Sequence, residues 1–162
     1  MTLLNLAQAK ELWAGGKQIK EVWIGGQRRW AKPATAPVSI FSLATPQAGK
    51  SGFNVTDATD TSIQLNRPST SRGWISWAAN WPVGSRVVFN WSTSPSVRMY
   101  SGLDDAIGVG SLNYTMSNSI GSGSVDYTIP AGGGWAYFGF SISNGQAAGL
   151  LTISNFGVYA PW

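Results

Sequence analysis

From residue 38 onward, no stretch of this chain keeps the 3.6-residue apolar period of a helix. Short apolar or alternating runs follow one another instead, at 38–43, 52–56, 62–65, 74–79, 86–92, 97–100, 113–116, 124–129, 136–143 and 150–159. Clusters of Gly, Pro, Asn and Ser break them apart. About ten strands at that spacing cannot each bury a face alone, so the pattern predicts an all-β chain packed as a jelly-roll β-sandwich over 38–162. Val87, Phe89 and Trp91 alternate with Arg86, Val88 and Asn90, and Val125, Tyr127 and Ile129 form a second alternating set. Both sets are predicted to face the core. With 43% apolar residues and 9 Trp, the composition supports a real core and excludes disorder. No apolar run approaches the length of a membrane span, so no membrane insertion is expected.

Ahead of the sandwich stands a repeat of period ten. Lys10-Glu11-Leu12-Trp13-Ala14-Gly15-Gly16-Lys17 is followed by Lys20-Glu21-Val22-Trp23-Ile24-Gly25-Gly26-Gln27, the two copies sharing Lys, Glu, Trp and both Gly. Gly-Gly supplies the positive φ of tight hairpin turns, which predicts strand, turn, strand, turn, strand over 10–30, a three-stranded β-meander. An amphipathic helix over 3–13, ended by Gly15, is the competing local reading. Ala31-Lys32-Pro33-Ala34-Thr35-Ala36-Pro37 reads as a semi-rigid linker at 33–37. So small a meander buries too little surface to be stable alone. It is expected to dock, on its own sandwich or on another subunit, and the linker favours the second.

Charge divides at the same place. Residues 1–32 carry Lys10, Lys17, Lys20, Arg28, Arg29 and Lys32 against Glu11 and Glu21, which is the whole of the net +4. In the remainder, Lys50, Arg67, Arg72, Arg86 and Arg98 balance Asp57, Asp60, Asp104, Asp105 and Asp126. A neutral body offers no basic stripe, so nucleic acid is not an expected partner. Residues 1–6 lack a charged start and a long apolar run, so they do not read as a secretory signal.

The chain has no Cys and no His, which removes imidazole-based triads, the Cys nucleophile and the commonest metal ligands. Asp104 and Asp105 are adjacent and read as a solvated turn, so they cannot form the facing pair of a glycosidase. Asp57 and Asp60 lack the spacing and oxygen count of a calcium loop. Gly121-Ser122-Gly123 and Gly132-Gly133-Gly134 have no Lys-Ser/Thr after them, which excludes a phosphate loop. No catalytic residue, metal site or cofactor is assigned, and the chain is not expected to be an enzyme. What aromatics and amides do well is bind sugars, whose rings offer an apolar face and a rim of hydroxyls. Trp74 and Trp77 fall on opposite faces of one strand, so one is predicted core and the other exposed. Trp81 before Pro82 and Trp135 after Gly134 are placed in loops, where ligand contacts concentrate. With Arg98 and Tyr100 they form the candidate glycan-binding set.

Lys20-Glu21-Val22-Trp23-Ile24-Gly25-Gly26-Gln27-Arg28-Arg29-Trp30 resembles the strand–Gly-Gly–strand segments of tailed-phage virion proteins of the head-fibre, tail-fibre and decoration types. Arg29 stands where those segments usually carry an apolar residue. The resemblance implies that residues 1–32 anchor the chain to a particle, through Trp13, Trp23, Ile24 and Trp30 burying apolar surface and Arg28 and Arg29 meeting acidic groups. It implies virion localisation, other virion proteins as partners and a homo-oligomer, a trimer being the simplest. Residues 41–159 resemble jelly-roll carbohydrate-binding modules through Thr61-Ser62-Ile63-Gln64-Leu65, Trp74-Ile75-Ser76-Trp77, Pro82-Val83-Gly84-Ser85-Arg86-Val87-Val88-Phe89-Asn90-Trp91-Ser92, Tyr127-Thr128-Ile129-Pro130-Ala131-Gly132 and the closing Leu151–Tyr159 run. That implies a host surface glycan as partner. The alternatives are a carbohydrate-binding module of a secreted enzyme and a capsid-stabilising protein with no ligand.

Overall fold

Alternation along the strands decides which way each one faces, and in the computed structural model it sorts them into two packed sheets. The structure describes residues 12–14, 17–19, 21–24, 27–31, 39–105, 114–131 and 136–160. The chain forms two compact units, Met1–Ala36 and Pro37–Trp162.

In the first unit, β1 (Leu12–Ala14) pairs with β2 (Lys17–Ile19), and β3 (Glu21–Ile24) with β4 (Gln27–Ala31), all antiparallel. This corrects the three-stranded meander: among the described residues there are four strands in two two-stranded sheets. Each copy of the repeat makes its own hairpin, because Ala14 pairs with Lys17 and Ile24 with Gln27, leaving two residues between the strands. Trp13 lies in β1, which removes the end of the competing helix. Trp13, Trp23, Ile24, Arg28, Arg29 and Trp30 all lie on these strands, and their side chains fall outside the described residues, as do both Gly-Gly pairs.

In the second unit the strands are β5 (Ser39–Phe41), β6 (Gly49–Ser51), β7 (Asn54–Ala58), β8 (Ile63–Arg67), β9 (Gly73–Ala78), β10 (Arg86–Ser94), β11 (Arg98–Asp104), β12 (Tyr114–Ile120), β13 (Ser122–Thr128), β14 (Tyr137–Ile142) and β15 (Gly149–Tyr159). One sheet has the order β13-β10-β15-β8-β7, with β5 also on β15; the other has the order β12-β11-β14-β9-β6. The chain crosses from one sheet to the other at most connections, which is the wrapping of a jelly roll. The fold is the all-β sandwich that the pattern of short runs predicts.

The core lies between the sheets. Val87, Phe89 and Trp91 of β10 are buried in it, as are Val125 and Ile129, while Tyr127 packs at its margin. Phe138 and Phe140 meet edge to face at 5.0 Å, and Phe89 meets Phe140 at 5.5 Å, the geometry that ring quadrupoles favour. Along β15, Leu151 and Ile153 face inward, then Asn155 at φ 53° adds a residue and Phe156 and Val158 take over the inward positions. The shift falls opposite Val88 and Asn90 of β10, a bulge that resets the alternation without losing the apolar face. Asn is the side chain that best tolerates that left-handed conformation after Gly.

Candidate functional site

The five-stranded sheet has one face in the core and one facing away from it. Ile75 and Trp77 of β9, Phe138, Phe140 and Ile142 of β14, and Met99 and Leu103 of β11 all belong to the core cluster. Their neighbours along each strand therefore share the other face. Register assembles that face into rows. One row runs Asn118, Tyr100, Ser141, Trp74, Ser51 across all five strands. The next runs Thr115, Gly102, Gly139, Ser76, Gly49, and the third runs Asp104, Tyr137, Ala78.

The middle row holds three glycines and Ser76, so few side chains stand on it; Ser76 is 0% exposed, and Gly102 and Gly139 are buried as well. Trp74 and Tyr100 stand half-buried along one rim and Tyr137, also half-buried, along the other. Strand spacing separates Trp74 from Tyr100 by about 10 Å, and four residues of strand rise place Tyr137 about 14 Å along the sheet from their row. Polar groups lie among the rings. Ser76 Oγ donates to Gly49 O at 3.5 Å, and Arg98 Nη1 donates to Asn118 Oδ1 at 2.7 Å and to Asn118 O at 3.3 Å. The Arg98 guanidinium is thus held over β12 at one end of this face. Asp104 is buried at the other, its Oδ1 accepting from the Asp105 N–H at 2.8 Å. A glycine-rich row between aromatic rims, with fixed polar groups beside it, makes a trough suited to a flat ligand with hydroxyl edges.

Of the sequence-predicted set, Trp74, Arg98 and Tyr100 come together here. Trp77 does not: it is 0% exposed on the core face, its Nε1 donating to Thr45 O at 3.0 Å, because it stands two residues after Ile75 and so belongs to the odd-numbered inward set of β9. Trp81 lies in the loop after β9, as expected, and away from this set: its ring is partly buried and packs on the core, 5.1 Å from the Phe138 ring and 5.4 Å from that of Phe41. Trp135 lies outside the described residues. Asp104 corrects the predicted solvated turn, since β11 continues through it and it is buried. Tyr137, Asn118, Ser76 and Ser141 join the site without having been singled out. The alternation of Tyr137, Gly139 and Ser141 with Phe138, Phe140 and Ile142 was the signal that could have found two of them.

Away from this face, a cleft of about 390 Å³ is lined by Ile40, Phe41, Ser42, Thr45, Asp60 and Thr61. Asp60 Oδ1 accepts from the Ser42 hydroxyl there at 2.9 Å, and Asp57 is exposed on β7. Among the described residues, no three carboxylates or other metal-ligating side chains stand together.

No protein-family model matches this chain, and no curated protein sequence does. Solved structures do. A variant of a carbohydrate binding module family 29 superposes with TM-score 0.53 at 10% identity, over 78% of this chain and 93% of its own. Two further family 29 variants, made to probe ligand recognition, give TM-scores of 0.51 and 0.50 at 11% and 12% identity, each over 78% of this chain and 92% of theirs. The sandwich has the jelly-roll fold of carbohydrate-binding modules. Identity this low establishes the fold and no ligand.

Proposed function

We propose that the outward face of the five-stranded sheet binds a glycan, with the chain acting as a binding protein and not as a catalyst. The observation that carries the reading is the register itself, which puts Trp74, Tyr100 and Tyr137 around a glycine-floored trough while Trp77, Phe138 and Phe140 of the same sheet are in the core. Ring faces stack on the C–H faces of sugars, and Ser141, Asn118 and Arg98 offer partners to the hydroxyls. The carbohydrate-binding fold of the neighbours supports the same reading. Binding is tested by calorimetry with oligosaccharides selected on a neutral glycan array. W74A and Y100A are each expected to weaken it about tenfold, roughly 1.4 kcal/mol. Unchanged affinity in both variants would remove the trough from the site.

The first unit supplies the second half of the proposal: an anchor that presents the binding domain from a phage or phage-like particle. What supports it is the sequence resemblance of the Gly-Gly hairpins, and a net charge that resides wholly in residues 1–32 and suits an acidic docking surface. Many copies on one particle would let weak sugar contacts sum to firm attachment. Deletion of residues 1–32 is expected to abolish incorporation into particles while leaving glycan binding intact. Incorporation of the truncated chain would overturn the anchor, and failure of the full chain to join particles would favour a free-standing carbohydrate-binding module, which the sandwich suits equally.

A further inference from the structure

Arg67 is the last residue of β8, and the inward set Ile63, Leu65, Arg67 puts its side chain toward the interior. It is 1% exposed. Nη1 donates to Ser71 O and Ser143 O, both at 3.0 Å, and Nη2 donates to Gln146 O at 2.5 Å and, more closely, to Ala147 O. None of these partners is a carboxylate. A positive charge has therefore been buried against four backbone carbonyls, and burial pulls its pKa below the ordinary arginine value. Room for the stem comes from Gly73, where a Cβ would lie 3.0 Å from Arg67 Cδ and 3.1 Å from the Phe53 ring.

The four carbonyls belong to the two connections that pass from one sheet to the other at this end, residues 68–72 between β8 and β9 and residues 143–148 between β14 and β15. Ser71 stands three residues before Trp74, and Ser143 two residues after Ser141. Gln146 carries the contact onward, its Oε1 accepting from the Arg98 N–H at 3.5 Å, and Gly145 N donates to Thr70 O at 2.9 Å. Trp74 and Ser141 thus lie close along the chain to backbone carbonyls that meet at one guanidinium, and Arg98 is tied to the same cage through the Gln146 side chain.

We infer that Arg67 is a positioning residue for the sugar-binding trough, and that its carbonyl cage is a guanidinium-selective site filled by the chain's own side chain. The first part rests on the glycan reading above; the second stands without it. A planar fork with several fixed donors can satisfy four carbonyls at once, whereas a lysine ammonium has three donors on a point charge. R67A leaves the cage lined by carbonyls that have lost their donors.

The test uses the full chain. R67A is expected to melt at a lower temperature and to bind the array-selected oligosaccharide at least about tenfold more weakly. Guanidinium chloride at millimolar concentration, well below denaturing levels, is expected to raise both quantities saturably in R67A and to leave the wild type unchanged. Urea or sodium chloride at equal concentration is expected to do neither. The Arg98 amide resonance should shift in R67A and return with guanidinium. If R67A does not fold unaided, refolding with and without guanidinium reads the cage, and R67K reads positioning through a reduced oligosaccharide affinity. Wild-type affinity in a folded R67A or in R67K overturns the positioning role, and no response to guanidinium overturns the cage. Should the wild type bind no glycan, the trough reading falls while the melting data still judge the cage.

Discussion

At the scale of single residues, charge on the sandwich is used in two opposite ways. Arg67 is buried among carbonyls, while Arg86 and Asp126 meet in the open, Nε to Oδ1 at 2.7 Å and Nη2 to Oδ2 at 2.5 Å, with both side chains more than half exposed. The bidentate contact lowers the Asp126 pKa, through the hydrogen bonds from Arg86 first, and raises that of Arg86. A depressed carboxyl pKa contributes stability above its unfolded value and loses that contribution as pH falls through the folded one. Nuclear magnetic resonance titration of the Asp126 carboxyl is therefore expected to find it below the ordinary Asp range, with the difference shrinking as salt is added. An unshifted, salt-insensitive titration would mean the pair does not persist in solution.

At this scale the sequence was legible in part. Trp74 and Trp77 were separable by parity along one strand, but parity alone does not tell which is the inward one. That is decided by Phe138 and Phe140, which pair across from Trp77 and Ile75 through a register that no local pattern encodes. The loop position of Trp81 is legible from Pro82, but the partial burial of its ring depends on Phe41 and Phe138, far away in sequence.

At the scale of elements, the ten runs read from the sequence all contain strands, and among the described residues of the second unit the strand they omit is β6, Gly49–Ser51. Gly-Lys-Ser has neither alternation nor β-branched residues, and it is a strand only because β9 offers an edge to pair with. Glycines inside strands mark close approach of another group. Gly123 of β13 faces Trp91 of β10, and a Cβ there would lie 2.9 Å from the indole Nε1 and 3.2 Å from Cζ2. Since Trp91 is buried and cannot step aside, G123A is expected to cost about 1–3 kcal/mol in thermal or urea denaturation. Wild-type stability in G123A would show that β13 can move away from β10 freely. The Gly-Gly repeat shows the same limit of local reading: it located the turns of the first unit, yet each repeat proved to be a hairpin and not a strand.

At the scale of the whole molecule, the division between a basic, Trp-rich first unit and a neutral sandwich was visible in the sequence, and the boundary between Ala36 and Pro37 lies within the Pro/Ala segment. The proposed trough is not visible in the sequence, because it is made by three rows of residues from five strands, and its floor is a row rich in glycine. The central claim is that those rows are where the protein meets sugar. A neutral glycan array probed with the full chain, its W74A/Y100A double variant and W81A tests it most directly. The account predicts that the wild type and W81A label the same oligosaccharides and that the double variant labels none of them. No labelling by the wild type, or labelling by the double variant equal to it, would contradict the account.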